Sequence, residues 1–461
     1  MVRREHAQRS LFEMLLPDAH KLWEPELRRM DEVLEDEGIV DSVFQALACR
    51  WPHSKRQGRP GTPAVVVLRM LVLKHLYDWS FDECERQVRG SLVYREFCGI
   101  GCERVPDAKT LIRIAQALGP GVLKSVVERL VRIAHRRKVI RGFRMRVDTT
   151  VVETNVHYPT DSSLLGDGVR VLTRVMKRVR ERMRGLQRLR DRTRSVARKV
   201  FEIAQYSRQA GRQQVQRRMR RQYQQLMGIT RKVLRDAEAV REQIARRKTG
   251  KRDAVVRSLD EKLDRVGGLV RRVLAQTRAR ILKGDTRHPD KLLSIFEPHT
   301  EAIRKGKVVK PTEFGKLVKI QEAESQLITD YEVCERRVPD QRLWVPALRK
   351  HQALLGRPPR LAVADAGFTS AANERVAQEM GVKRVVLPRR GRLSAARRKY
   401  QRQRWFRQAL RWRSGSEGRI SSLKRRHGLT RCRYRGSAGM ERWVGLGVIA
   451  NNLLVLGRAL P

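Results

Sequence analysis

Three carboxylates stand where chemistry could be done. Asp148 sits in RMRVDTTVVETN (144–155), Asp365 ends RLAVAD (360–365), and Glu417 lies in RWRSGSEGRISSLKRRHG (411–428). The chain carries 101 Lys and Arg against 49 Asp and Glu, so acids gathered in one place would serve to hold a cation. Three carboxylates supply the hard oxygen ligands that suit magnesium, which keeps positions open for water and phosphate. Two such ions activate a nucleophilic oxygen and stabilise the leaving one during in-line attack on a phosphodiester. Without the metal the acids repel, leaving the group poorly ordered or partly protonated. Each acid also has a plainer use. An Asp that ends a strand commonly caps a turn or helix. If 414–427 is helical, Arg413 lies one turn before Glu417 and Lys424 two turns after it, all on one face. Such cations can be ordinary helix pairing, or can hold phosphates beside a metal-bound acid.

These residues need elements to position them. Alternation through Met145, Val147, Thr149 and Val151 fixes one face of a strand, so Asp148 points to the other with Arg146 and Thr150, while Glu153 falls on the apolar register. Asp148 and Asp365 are expected at the carboxyl ends of core strands, where ligands of open α/β sheets gather. Beyond 283, FGKLVKIQ and SQLITDYEV read as two strands of a hairpin around EAE, and QRLWVPALRKHQALL as a helix. RLAVAD reads as a buried strand, AANERVAQEM as a helix and KRVVLP as a strand, with mostly helix from 393 on. Together with RMRVDTTVV this is a mixed α/β domain, 141–168 with 284–461, split by a helical insertion.

The insertion spans 169–283 and holds 36 Lys and Arg against 10 Asp and Glu, a net +26 that is half of the chain's +52. Apolar residues from Val175 to Ile203 recur every 3.5 residues on average, the seam of a coiled coil in one long helix. A second seam runs from Val215 to Ile244, after a break near 209–211. A second break at KTGK (248–251) precedes a third, weaker helix, giving a helical hairpin plus one. A charged helix face is usually just solvated, but one so single-signed fits a track along phosphates.

Ahead of the sheet, 1–40 is a helical arm and 41–140 a set of short helices. Pro63 opens PAVVVLRMLVLKHLYDW, Ser80 and Glu83 form a capping box, Asp107 starts AKTLIRIAQAL, and VLKSVVERLVRIAHRR follows. Short helices with tight turns and outward Arg and Lys describe either a helix-turn-helix-like DNA-binding domain or a bundle used for packing.

Composition narrows the partners. A net charge of +52 and a pI near 11.4 make a polyanion the default partner, nucleic acid before anionic membrane. The most apolar run, VGLGVIANNLLVLG (444–457), is short for a membrane span and holds Asn451 and Asn452. No signal peptide is apparent, and six scattered cysteines suit a reducing compartment, so a cytoplasmic, nucleoid-associated location is expected. Cys98 and Cys102 in CGIGC lack the second pair of a zinc site. Nothing reads as a phosphate-binding GxxxxGK[ST] loop, so no nucleotide cofactor is expected.

Several stretches resemble a bacterial insertion-sequence transposase of the DDE type, closest to the ISNCY group. They are VDTTVVETN with YPTDSSLL (158–165), SIFEPHTEAIRKGK (294–307) with PTEFGKLVKIQEAESQLITDYEV, VADAGF, and Arg413-x3-Glu417-x6-Lys424. The last is similar to the family's Tyr-x2-Arg-x3-Glu-x6-Lys signature, with Leu410 in place of Tyr. VADAGF has Ala366 and Phe368 where Arg and Tyr are frequent.

The resemblance implies an RNase H-like catalytic sheet interrupted by the insertion. It also implies Asp148, Asp365 and Glu417 as a triad for two Mg2+ or Mn2+ ions, and Arg413 and Lys424 as phosphate contacts. The implied reaction is cleavage at the transposon's terminal inverted repeats and attack of the freed 3′-hydroxyl on target DNA, by a homodimer or higher oligomer. Two other classes remain: a degenerate DNA-binding structural protein, and an RNase H-like nuclease without strand transfer. Trp405 and Trp412, interleaved with Arg, are either helix core or contacts to a flipped base or unpaired strand. Asp161 reads as a helix N-cap, and His299 as a structural hydrogen-bonding residue.

Overall fold

β-branched and apolar residues at every second position make Arg144–Thr154 (β1) the longest strand among the described residues. The computed structural model describes residues 1–5, 19–50, 61–183, 185, 189–209, 213–246, 254–304 and 311–460. The chain forms two compact units. One joins Met1–Asn155 to Ile303–Pro461, and the other is Val156–Ala302.

In the first unit the α-helices before β1, among the described residues, are α1 (Pro25–Leu34), α2 (Glu37–Ala48), α3 (Ala64–Leu76), α4 (Phe81–Gly90), α5 (Leu92–Phe97), α6 (Ala108–Ala115) and α7 (Pro120–Arg136). Their starts follow local chemistry. Asp36 accepts the Ile39 N–H and Asp107 the Thr110 N–H. Ser80 accepts the Glu83 N–H, but the Glu83 carboxylate binds Arg86 and Gln87, so the expected capping box closes on one side only.

The second unit holds α8 (Asp161–Arg182), α9 (Thr193–Arg208), α10 (Gln213–Arg246) and α11 (Ala254–Lys283). The expected single helix through Val175–Ile203 is two helices. The apolar period continues across the join, but α8 ends at Arg182 and Gly185 takes a φ of +77°, a left-handed conformation that an α-helix cannot continue through. Leu186 of that seam and the breaks at 210–211 and 248–251 lie outside the described residues. α8 packs against α9, α10 and α11 around Leu172, Val179, Leu226, Val233, Leu263 and Val270. Thr160, not Asp161, caps α8. Asp161 instead accepts from Gln276 at 3.1 Å and Arg280 at 3.1 Å, a buried tie to α11.

β2 (Glu301–Ile303) straddles the boundary between units. Back in the first unit come β3 (Glu313–Glu322), β4 (Ile328–Val333), α12 (Gln341–Leu355), β5 (Leu361–Ala364), α13 (Ala371–Glu379), β6 (Arg384–Val386), α14 (Ala395–Arg402), α15 (Arg404–Arg426), β7 (Arg431–Cys432) and α16 (Ser437–Ala459). The strands run β4-β3-β1-β5-β6, with β3 antiparallel to β1 and β4, and β5 parallel to both β1 and β6. β7 joins β1 in parallel at Glu153 and Thr154.

The N-terminal helices share their core with the far end of the chain. Leu34, Leu71 and Leu130 pack in one cluster with Ile320 and Tyr331 of the sheet and Trp443 and Leu453 of α16. Each such apolar side chain, fully buried, contributes about 1.5–3 kcal/mol. The two asparagines of the apolar run are explained by that setting. Asn452 accepts the Ile328 N–H at 3.0 Å and donates to its C=O at 2.7 Å, standing in for a neighbouring strand, while Asn451 accepts from Arg419. No helix among the described residues is long and apolar enough to cross a membrane.

Candidate active site

The pairing register of β1 and β5 sets the two aspartates side by side. Val147 lies opposite Ala364, so the next step places Asp148 level with Asp365, on strands roughly 4.8 Å apart. Contrary to the expectation from its sequence, β1 does not end at Asp148; it runs on to Thr154 because β3 pairs with it through Glu153. It is β5 that ends there. Between Asp148 and Val152 no strand among the described residues pairs with that side of β1, which leaves a notch in the sheet. Glu153, beyond the notch, forms an ion pair with Arg431 at 3.4 Å.

Asp365 fulfils its plainer role as well. Its Oδ1 accepts the Gly367 N–H at 2.7 Å, capping the short turn Ala366–Phe368, which the fully buried Phe368 anchors. Asp148 shares its face with Arg146, and both reach α15. Asp148 Oδ2 accepts from the Ser416 hydroxyl at 2.9 Å and from Arg413 at 3.5 Å, and Arg146 donates to the Trp412 C=O at 2.6 Å. Burial pushes the Asp148 carboxyl pKa up. Hydrogen bonds from Thr149 and Ser416 and the charge of Arg413 oppose that shift, and the neighbouring Asp365 adds to it.

Glu417 is mostly exposed, and its carboxylate accepts from Arg413 at 2.9 Å. One guanidinium thus bridges the strand acid and the helix acid. Among the described residues no three Asp, Glu, His or Cys side chains come close enough to hold one metal ion. Asp148 and Asp365 are neighbours, and Glu417 reaches Asp148 through Arg413. Lys424 lies in the last turn of α15, with its backbone C=O held by Thr430.

The donor set fits a hard divalent ion. All three acids offer carboxylate oxygens, which suit Mg2+ or Mn2+. A cationic side chain already lies between two of them. A Cβ at Gly367 would lie 2.9 Å from Asp340 Oδ2 and 3.0 Å from Asp365 Oδ1, so a fourth carboxylate stands by the same turn.

Asp340 is not apparent in the sequence, where an Asp before a helix reads as a cap. It does hold the N-cap position of α12, yet its side chain makes no capping bond and accepts from the Thr149 hydroxyl at 3.2 Å instead. Beneath the site Arg146 and Glu322 form a nearly sealed ion pair at 2.6 Å, with Arg419 at 3.9 Å from the same acid. Burial pushes the Glu322 carboxyl pKa up against the pull of both arginines. Trp405 and Trp412 are half-buried, packed beside Phe406 and Ala409 with Arg384 over the first ring and Arg146 over the second. His299 pairs with Glu297 at 3.5 Å in the other unit.

Known families match both ends of the chain. A transposase domain model (DUF772) matches residues 11–117, and a transposase DDE domain model matches 376–456. The second match contains Arg413, Glu417 and Lys424 and begins past Asp365. An uncharacterized protein, ORF8 in the nfe locus of Rhizobium meliloti, is 28% identical over 123 residues, which is 25% of this chain and 59% of that protein. No solved structure matches. With a transposase domain model matching near each end, the chain is similar to the insertion-sequence transposases of the DDE type.

Proposed function

We propose that the protein is a DNA transposase that binds the ends of its insertion sequence, cleaves a strand at each end and joins it to target DNA. The observation that carries this reading is the register that aligns Asp148 with Asp365, with α15 held over Asp148 through Ser416 and Arg413. The strand order β4-β3-β1-β5-β6, with only β3 reversed, supports an RNase H-like catalytic domain around them.

Asp148, Asp365 and Glu417 would hold two Mg2+ or Mn2+ ions, which supply an activated oxygen nucleophile and neutralise charge on the phosphate. Arg413 and Lys424 orient that phosphate on the side of α15 that they share with Glu417. Trp412, packed against Arg146 of the central strand β1, and Trp405, beside Arg384 of β6, are the candidates for base or strand contact. The N-terminal helices read the terminal repeats, and the basic helical unit, arranged as a coiled-coil-like hairpin, tracks flanking phosphates. Two ends must be brought together, so the working form is a homodimer or larger.

The test is cleavage of an end-containing duplex with Mg2+, followed by product analysis on a supercoiled target. Joined products from the wild type and none from Asp148→Asn support the proposal. Equal inactivity with binding retained would make the chain a DNA-binding structural protein, and cleavage without joining would make it a nuclease.

A further inference from the structure

Helix α15 has two charged sides. At 100° per residue, Arg413, Glu417 and Lys424 share one side, and Arg411, Gly415, Gly418, Ser422 and Arg425 lie on the opposite one. That opposite side is the floor of a groove completed by Arg146, Arg419, Arg426 and Arg458, with Gln326 and Trp412. Six arginines line it and no acid does.

The charges in this groove are poorly compensated. Arg146 and Arg419 share a single carboxylate beneath the floor, Glu322, and Arg458 is held by Glu26 at 2.9 Å at the outer end. The side chains of Arg411, Arg425 and Arg426 make no hydrogen bond or ion pair among the described residues. Arg419 lies within electrostatic reach of Arg146, Arg426 and Arg458, so like charges face one another there. A surface like this is stabilised by an anion.

The floor is also left open. A glycine within a helix costs about 0.5–1 kcal/mol relative to alanine. At Gly415 the reason is visible, because a Cβ would lie 2.5 Å from the Arg146 guanidinium. At Gly418 a Cβ would meet nothing within 4 Å. No protein atom needs that space, which lets a ligand approach the helix backbone. From Arg411 to Arg425 the floor runs about 21 Å along the helix axis, far longer than one phosphate and comparable to roughly six steps of a DNA strand.

We infer that this groove is a second DNA track, which holds the phosphodiester backbone of a DNA strand on the opposite side of α15 from the acidic site. The inference rests on the proposed transposase function for the identity of the polyanion. Arginines suit it because their planar forks pair with phosphate oxygens, two at a time.

The experiment measures binding of a short labelled duplex to the full chain across a range of salt concentrations. Wild type is compared with the triple variant Arg411→Gln, Arg425→Gln, Arg426→Gln and with Gly418→Leu. The triple variant should bind roughly tenfold to a hundredfold more weakly near physiological salt, with a log–log salt slope shallower by about two to three, close to one for each phosphate no longer neutralised. Gly418→Leu changes no charge and favours the helix, so it should keep the fold and still weaken binding several-fold by filling the floor. If wild type binds DNA and both variants match it in affinity and slope, the groove is not a DNA track, while the transposase reading stands. If wild type binds no duplex at any salt concentration, the transposase reading fails and the groove's assignment fails with it.

Discussion

The two units treat charge in opposite ways. In the helical unit Arg217, Arg218, Arg220 and Arg221 of α10 stand exposed around a core of Val, Leu and Ile. In the sheet unit Arg146, Lys319 and Glu322 are sealed among the strands, each less than 5% exposed. An exposed arginine contributes little to stability whichever way it points, whereas a buried charge carries a desolvation cost that only a well-made pair offsets. The helical unit therefore keeps its positive charge available to an outside partner at almost no cost to its fold. The sheet unit accepts a cost next to Asp148, where Arg146 ties β1 to α15 and Lys319 ties β3 to β4.

Substitutions can break this contrast or sharpen it. The largest expected effect is on chemistry. Asp148→Asn or Asp365→Asn should lower strand cleavage with Mg2+ by roughly 10³-fold or more, since the metal's contribution is several kcal/mol, with duplex binding retained in a mobility-shift assay. Activity near wild type would reduce Asp148 to a tether between β1 and α15 and Asp365 to a turn former.

Next is Glu322→Gln, which strands two buried guanidiniums. It should destabilise the fold by about 3–5 kcal/mol in denaturant unfolding, while Arg217→Gln on the other unit should stay within about 0.5 kcal/mol. Similar losses from the two would erase the distinction between the units. Asp340→Asn should reduce cleavage by roughly 10- to 100-fold, as expected of a group supporting a metal site, and leave the melting temperature unchanged.

Smaller still, Arg217→Gln, Arg218→Gln and Arg221→Gln together should make the salt dependence of DNA binding shallower by about one for each of these arginines that touches a phosphate. An unchanged slope would show that α10 does not track phosphates. The smallest effect is a pH dependence. Asp148's carboxyl pKa is raised in the folded protein, so its contribution to stability without metal is full below its ordinary 3.8 and is lost as pH rises through the folded value. Asp148→Asn should flatten that decline, and a steeper decline in the variant would mean the shift has the opposite sign.

Much of the sheet is legible in the sequence because local pattern decides it. The alternation around Val147 fixes which face Asp148 takes, and α12 spans 341–355, the same residues whose pattern reads as a helix. The spacing of Arg413 and Glu417 places them one turn apart, and they form an ion pair there. What is not legible depends on distant partners. Nothing in the sequence singles out Asp340 until Thr149 is seen beside it. The seam from Val175 to Ile203 reads as one helix because a turn can preserve an apolar period while reversing the chain. The asparagines of α16 look like interruptions in an apolar run until Ile328 of β4 is placed against Asn452.

That last helix also bears on the order of folding. Arg29 donates to the Gly457 C=O across 428 residues of sequence, and the core of α1–α7 is incomplete without Trp443 and Leu453. Contacts so remote raise the contact order and slow folding, and until they form the apolar faces of the early helices stay exposed. The helices proposed to read the terminal repeats are thus among the last parts of the fold to be finished, and a nascent chain should depend on chaperones until α16 has docked.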